Sequence, residues 1–158
     1  MNITTNDSQI LLALNKPKGY LVTRSDDLGR KTVYNLLPDS LFQDGWMPIG
    51  RLDLESKGLL LFTRNGKIND ALTKPGNCIK VYEVWVRGHV TDEHIIDASS
   101  GVESIHGLLK AKVERIGNVL ELNRISIGSF KPNIEIGKWR YLSTDEEIML
   151  IKRAIKVV

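Results

Sequence analysis

The chain has one cysteine, Cys78, in 158 residues. That excludes an internal disulfide and fits a reducing compartment. No stretch approaches the ~20 apolar residues of a membrane helix, so no span and no membrane partner is expected. The first eight residues are polar, with no basic region leading into an apolar one, which argues against a secretory signal. A cytoplasmic location is the expectation. Internal repeats, low-complexity tracts and long linkers are also missing. Charge of one sign is scarce: 22 basic against 19 acidic residues leave a net +3, too little by itself to establish a nucleic-acid partner. Its distribution is uneven, however. Residues 14–82 hold 11 Lys and Arg against 7 Asp and Glu, whereas from residue 83 onward the two balance at 11 each.

What remains is ordinary globular composition, 42% apolar and 26% charged, in a length that suits one domain. Residues 10–14 form a short apolar run expected as a strand. It is broken by Asn15-Lys16-Pro17-Lys18-Gly19, and residues 20–23 read as extended again. Residues 32–37 suit a short helix stopped by Pro38. Residues 58–63 read as a buried strand, and Asn65-Gly66 leads into a helix over 67–73. Residues 79–87 alternate, with Tyr82, Val84 and Val86 on one face and Ile79, Val81 and Trp85 on the other. Apolar groups on both faces predict a central strand. Thr91 caps a helix to about residue 99. Strands are expected over 108–113 and 119–127. Thr144-Asp145-Glu146-Glu147 reads as a capping box opening a last helix with a stripe of Ile148, Ile151 and Ile155. The prevalence of strands predicts an α+β fold with a mixed, largely antiparallel sheet flanked by helices.

The most informative segment runs from Gly50 to Gly66, Gly50-Arg51-Leu52-Asp53-Leu54-Glu55-Ser56-Lys57-Gly58-Leu59-Leu60-Leu61-Phe62-Thr63-Arg64-Asn65-Gly66. It sets Asp53 beside an arginine just before an apolar run. A carboxylate held against a rigid strand near a fixed cation can act as a nucleophile at neutral pH. The plainer reading is that Asp53 caps a turn. Asp53 with Glu55 as a glycosidase pair is less apt, because one short loop rarely supplies both flanks of a sugar. His89, His94 and Cys78 match no standard zinc spacing and read as surface or helix-capping groups. Trp46, Trp85 and Trp139 read as core or rim, with Trp46 notable for lying just upstream of the block.

Three segments line up in order: Leu14-Asn15-Lys16-Pro17-Lys18-Gly19, the Gly50–Gly66 block, and Lys80-Val81-Tyr82-Glu83-Val84. Leu122-Asn123-Arg124-Ile125-Ser126-Ile127-Gly128 and Gly137-Lys138-Trp139-Arg140-Tyr141-Leu142 extend the pattern. Together they resemble the bacterial ribosomal-RNA pseudouridine synthases of the RsuA branch, over roughly residues 10–148. The resemblance implies a pseudouridine-synthase-like catalytic domain at residues 9–158, without the small N-terminal RNA-binding domain of many relatives. It implies Asp53 as catalytic carboxylate, Arg51 from the same motif, and Tyr82 as the ring that packs on the target uracil. Lys16 and Pro17 fall on the motif that supports the catalytic loop. The implied partner is ribosomal RNA, free or within a subunit or assembly intermediate, acted on by a monomer. Neither metal nor organic cofactor is implied.

The RNA-facing candidates are Lys16, Pro17, Lys18, Arg24, Arg30, Lys31, Arg64 and Lys67, all in the basic half of the chain. One departure stands out. Relatives carry a basic segment of the form Asn-Arg-Gln-Ile-Arg-Arg-Met near the third motif, and here the chain is shortened near residues 112–118 without it. That segment supplies a cation for the aspartate, and Arg51, Arg115 and Arg124 are the residues that could replace it. The alternative function is an RNA-binding remnant without turnover.

Overall fold

A computed structural model describes residues 8–74, 76–99 and 113–154. The elements are β1 (Leu11–Lys16), a 3-10 turn (Val33–Leu36), α1 (Asp39–Gln43), β2 (Met47–Ile49), β3 (Lys57–Thr63), α2 (Gly66–Thr73), β4 (Lys80–Arg87), α3 (Asp92–Ser99), β5 (Asn118–Ile127), β6 (Trp139–Tyr141) and α4 (Thr144–Ala154). The six strands form one sheet in the order β4-β5-β3-β1-β6, with β2 also on β3. Among the strands of the described residues only β3 and β5 run parallel; the other pairings are antiparallel. The fold is α+β, as the strand-rich pattern predicts.

Two apolar clusters cover the two faces. Leu11, Ala13, Leu59 and Leu61 point one way and pack with Ile68, Leu72, Ile127, Phe130, Leu142 and Leu150. Leu12, Leu14, Leu60 and Phe62 point the other way and pack with Val22, Val33, Leu41, Trp46 and Leu52. Strand alternation thus splits one continuous apolar sequence into two cores. Strand β3 has a divided outer edge. Its residues Lys57 and Gly58 pair with β5, and its residues Leu61 to Thr63 pair with β2. The β4–β5 pair therefore joins the rest of the sheet through two backbone pairings, Lys57↔Asn123 and Gly58↔Arg124.

Several expectations need correction. Strand β4 lies at the edge of the sheet, not its centre. Ile79 and Trp85 are 74% and 58% exposed, so apolar residues on both faces did not signal double burial. The last helix is capped one residue early: the Ser143 N–H donates to Glu146 Oε1 (2.8 Å) and the Glu146 N–H to Ser143 Oγ (3.2 Å). Glu147 is thereby turned inward, where its Oε1 accepts from the Ile10 and Leu11 N–H groups at 2.9 and 3.0 Å. The buried face of α4 carries Glu147, Leu150 and Ala154, while Ile148 is exposed. Residues 20–23 contribute one bridge, Leu21↔Thr32, and no strand. The strand expected over 108–113 lies mostly outside the described residues, and Val113 itself sits in a helical turn. Among the described residues no helix is long and apolar enough to cross a membrane.

Candidate active site

The Asp53 segment is an irregular loop leading into β3. Leu52 is buried in a core cluster, while its neighbours Arg51 and Asp53 are exposed. One apolar anchor thus turns both charged side chains outward. The loop closes on itself through a Ser56 N–H to Asp53 carbonyl bond (3.0 Å) and is tied to the first motif by Gly19 N–H to Leu54 carbonyl (2.8 Å).

Lys16 holds this loop from below. It is fully buried, and its ammonium donates to the carbonyls of Pro17 (3.0 Å), Asp53 (3.1 Å), Leu54 (3.4 Å) and Ser56 (2.7 Å). A compact cation with three rotatable donors suits several converging carbonyls. Burial pulls its pKa down to about 8, against the opposing pull of the Asp53 and Glu55 charges. The expected role of Lys16 as a phosphate contact is therefore corrected: its charge is consumed inside, under the loop.

Register extends this point across the sheet. Lys16 pairs with Gly58, Gly58 with Arg124, and Arg124 with Tyr82, making one row over four strands. Gly58 makes the row possible, because its φ is +117° and an added Cβ would lie 2.3 Å from the Arg124 carbonyl oxygen. Arg124 is 3% exposed, and its Nε donates to the Leu59 carbonyl at 2.7 Å. Its Nη1 donates to the Tyr82 hydroxyl at 3.4 Å, while Nη2 is buried without a partner among the described residues. Burial lowers the Arg124 pKa, and the neighbouring Tyr82 and Cys78 partly offset this. The half-buried Tyr82 packs on the same cluster that contains Leu52. A cleft of about 540 Å³ adjoins the loop, lined by Lys18, Glu55 and Ser56 on one side and by Glu114 and residues 117–122 on the other.

The family model described as RNA pseudouridylate synthase matches residues 10–126, which contain this whole row and the Asp53 loop. The chain belongs to that family. Among curated relatives, the ribosomal large subunit pseudouridine synthase B of Buchnera aphidicola subsp. Baizongia pistaciae is 38% identical over 111 residues, covering 70% of this chain and 44% of its own length. The protein of the same name from Yersinia pestis is 42% identical over 94 residues, covering 59% of this chain and 29% of its own. The chain thus spans less than half the length of these relatives. A solved structure described as a pseudouridylate synthase superposes with a TM-score of 0.79 at 22% identity, over 96% of this chain and 76% of that one, and so shares the fold.

The remaining candidate cations fall into separate groups. Lys18 is exposed and donates to the Leu120 carbonyl at 3.1 Å, bridging the first motif to β5. Pro17 is half-buried beside it. Arg24 lies 4.1 Å over the Phe42 ring and donates to the Phe42 carbonyl at 3.1 Å. Arg64 sits 5.1 Å over the ring of Trp46, which is core rather than rim. Arg64 and Lys67 follow the end of β3 whereas Asp53 precedes its start, a separation of roughly 20 Å at ~3.3 Å per residue. Arg30 is paired with Asp26 at 2.8 Å, and Lys31 lies 5.8 Å from the Tyr20 ring. His94 is a cap: its Nδ1 accepts from the Thr91 N–H at 3.2 Å, and its own N–H donates to Thr91 Oγ1 at 3.3 Å.

The residue that sequence reasoning underrated is Arg124. No local signal marked it: that Leu122, Arg124 and Ser126 share a buried strand face emerges only from the fold. A charge in such a position is seldom there without a partner.

Proposed function

We propose that this chain is the catalytic part of a ribosomal-RNA pseudouridine synthase, with Asp53 as its catalytic carboxylate and Tyr82 stacking on the flipped uracil. The reaction breaks the bond from ribose C1′ to uracil N1 and makes one from C1′ to C5. The proton on C5 leaves to solvent and N1 gains one, so no electrons are exchanged and no energy donor is consumed. Asp53 either attacks the sugar or removes a ribose proton, and both routes need it ionised. Tyr82 offers a flat face for the detached base, worth roughly 1–3 kcal/mol of stacking. Extruding the uridine costs roughly a few kcal/mol, which favours loops and bulges as targets. Arg51 comes from the same motif, two residues before the acid, and Lys18, Arg24, Lys31, Arg64 and Lys67 supply the cationic surface for phosphates. The enzyme acts on RNA, free or in a subunit assembly intermediate, as a cytoplasmic monomer.

The observation that carries this reading is the Asp53 loop itself: an exposed carboxylate on a backbone clamped by a buried ammonium. Such rigidity suits a group that must meet a reacting atom in one geometry. The test is release of tritium from ribosomal RNA carrying 5-labelled uridine. Release by the wild type and none by Asp53→Asn supports the enzyme. RNA retained without release by either protein replaces it with the second reading, an RNA-binding remnant. That reading is favoured by one observation, the missing basic segment near residues 112–118.

A further inference from the structure

We propose that Arg124 is a positioning residue that ties the Tyr82 hydroxyl to the backbone of β3 and so fixes the Tyr82 ring relative to the Asp53 loop. The inference rests on the roles just given to Asp53 and Tyr82. Those two residues belong to different parts of the sheet. Asp53 precedes β3, within the β2–β3–β1–β6 portion, and Tyr82 lies on β4, which pairs with β5. The two portions share two backbone pairings, and one of them is Gly58↔Arg124. The backbone link between acid and ring is therefore this short seam, which the Lys57–Glu121 ion pair and the Lys18 bond to the Leu120 carbonyl also cross.

Arg124 bridges that seam with its side chain. Nε and Nη1 belong to one rigid plane, so a single guanidinium fixes the Leu59 carbonyl of β3 and the Tyr82 oxygen of β4 relative to each other. Leu59 is three residues past Ser56, the last loop residue held by Lys16. The brace thus runs from the clamped loop through β3 to the ring. Guanidinium only donates, so the phenol oxygen accepts from it and keeps its own proton for another acceptor. Burying a charge between a carbonyl and a phenol is costly where an apolar contact would suffice for packing. Among the described residues Nη2 has no partner, which adds to that cost. Lysine cannot replace this arrangement, because one ammonium cannot span both acceptors in a fixed plane.

The test measures distance directly. Nitroxide labels are placed at exposed positions on either side of the seam, Glu55→Cys and Glu83→Cys, in a Cys78→Ala background, and read by pulsed dipolar spectroscopy. The parent is expected to give one narrow distribution. Arg124→Lys and Tyr82→Phe are each expected to broaden it, and the double variant no further than either alone. Tyr82→Phe removes a single oxygen and decides the matter if Arg124→Lys does not fold. An unchanged width in a folded Tyr82→Phe protein overturns the proposal. With uridine conversion as a second readout, Arg124→Lys is expected to lower kcat by up to about 10²-fold with KM unchanged. A loss confined to KM also overturns it. A parent that converts no uridine removes the enzymatic reading, whereas the distance measurement still decides the brace.

Discussion

The ammonium of Lys16 lies 2.7 Å from the carbonyl oxygen of Ser56, forty positions further along the chain. The carbonyls of Asp53 and Leu54 share the same cation. One side chain from β1 thereby satisfies much of the backbone of the segment that presents Asp53.

Replacing Lys16 by Met keeps most of the volume and strands those carbonyls. We expect a loss of roughly 2–4 kcal/mol in urea unfolding. A loss below ~1 kcal/mol, at the level of one ordinary hydrogen bond, would show that water reaches the carbonyls and the clamp is dispensable.

The same lysine gives a pH signature. Its folded pKa of about 8 lies below the ordinary 10.5. Between those values the unfolded chain holds a proton that the folded one has lost, so this contribution to stability rises with pH, is complete above 10.5, and is lost as pH falls through 8. Wild type should therefore gain stability over Lys16→Met across that window. Uridine conversion should fall over the same range, because a neutral amine has fewer protons for the loop carbonyls. Parallel stability curves for the two proteins would contradict this account.

Gly58 and Gly19 both have positive φ, at +117° and +87°, but only Gly58 faces backbone, and Gly19 has nothing within 4 Å of an added Cβ. Gly19→Ala should cost about 1–2 kcal/mol, the strain of a left-handed alanine. Gly58→Ala adds a clash with Arg124 and should cost roughly 3–5 kcal/mol. Thermal unfolding of the pair separates conformational strain from close approach, and equal losses would show that β5 moves aside freely.

The surface cations differ in what they can offer RNA. Lys67 is exposed, whereas Arg30 is held bidentate by Asp26. Lys67→Gln should reduce the slope of log affinity against log salt by about 0.7, the share of one phosphate on a single strand. Arg30→Gln should leave the slope unchanged. The reverse pattern, from fluorescence-anisotropy titrations at several salt concentrations, would move the RNA path to the Arg30 side.

Local chemistry explains what could be read in advance. The Asn65-Gly66 turn ahead of α2, Thr91 capping α3 and the apolar run of β3 all report on residues close in sequence, and all three were legible. Strand β4 was misplaced because alternation reveals which residues share a face and not what covers that face. Glu147 was misread because Ser143 and Thr144 are equally good caps, and the choice is made by the amides of Ile10 and Leu11 at the other end of the chain. Lys16 looked like an RNA contact because a lysine beside Pro17 and Gly19 resembles surface chemistry until its four carbonyls are brought together by the fold. Arg124 and Gly58 depend on register, which no local pattern encodes.

The contact of Glu147 with the amides of Ile10 and Leu11, together with the pairing of β6 on β1, sets an order of events during synthesis. Strand β1 is made well before residues 139–147, and one of its edges stays open until those residues follow. A nascent chain therefore carries an unclosed strand of leucines while residues 17–138 are made, and a holding chaperone or a fast ribosome would matter more to this strand than to one closed by a neighbouring hairpin.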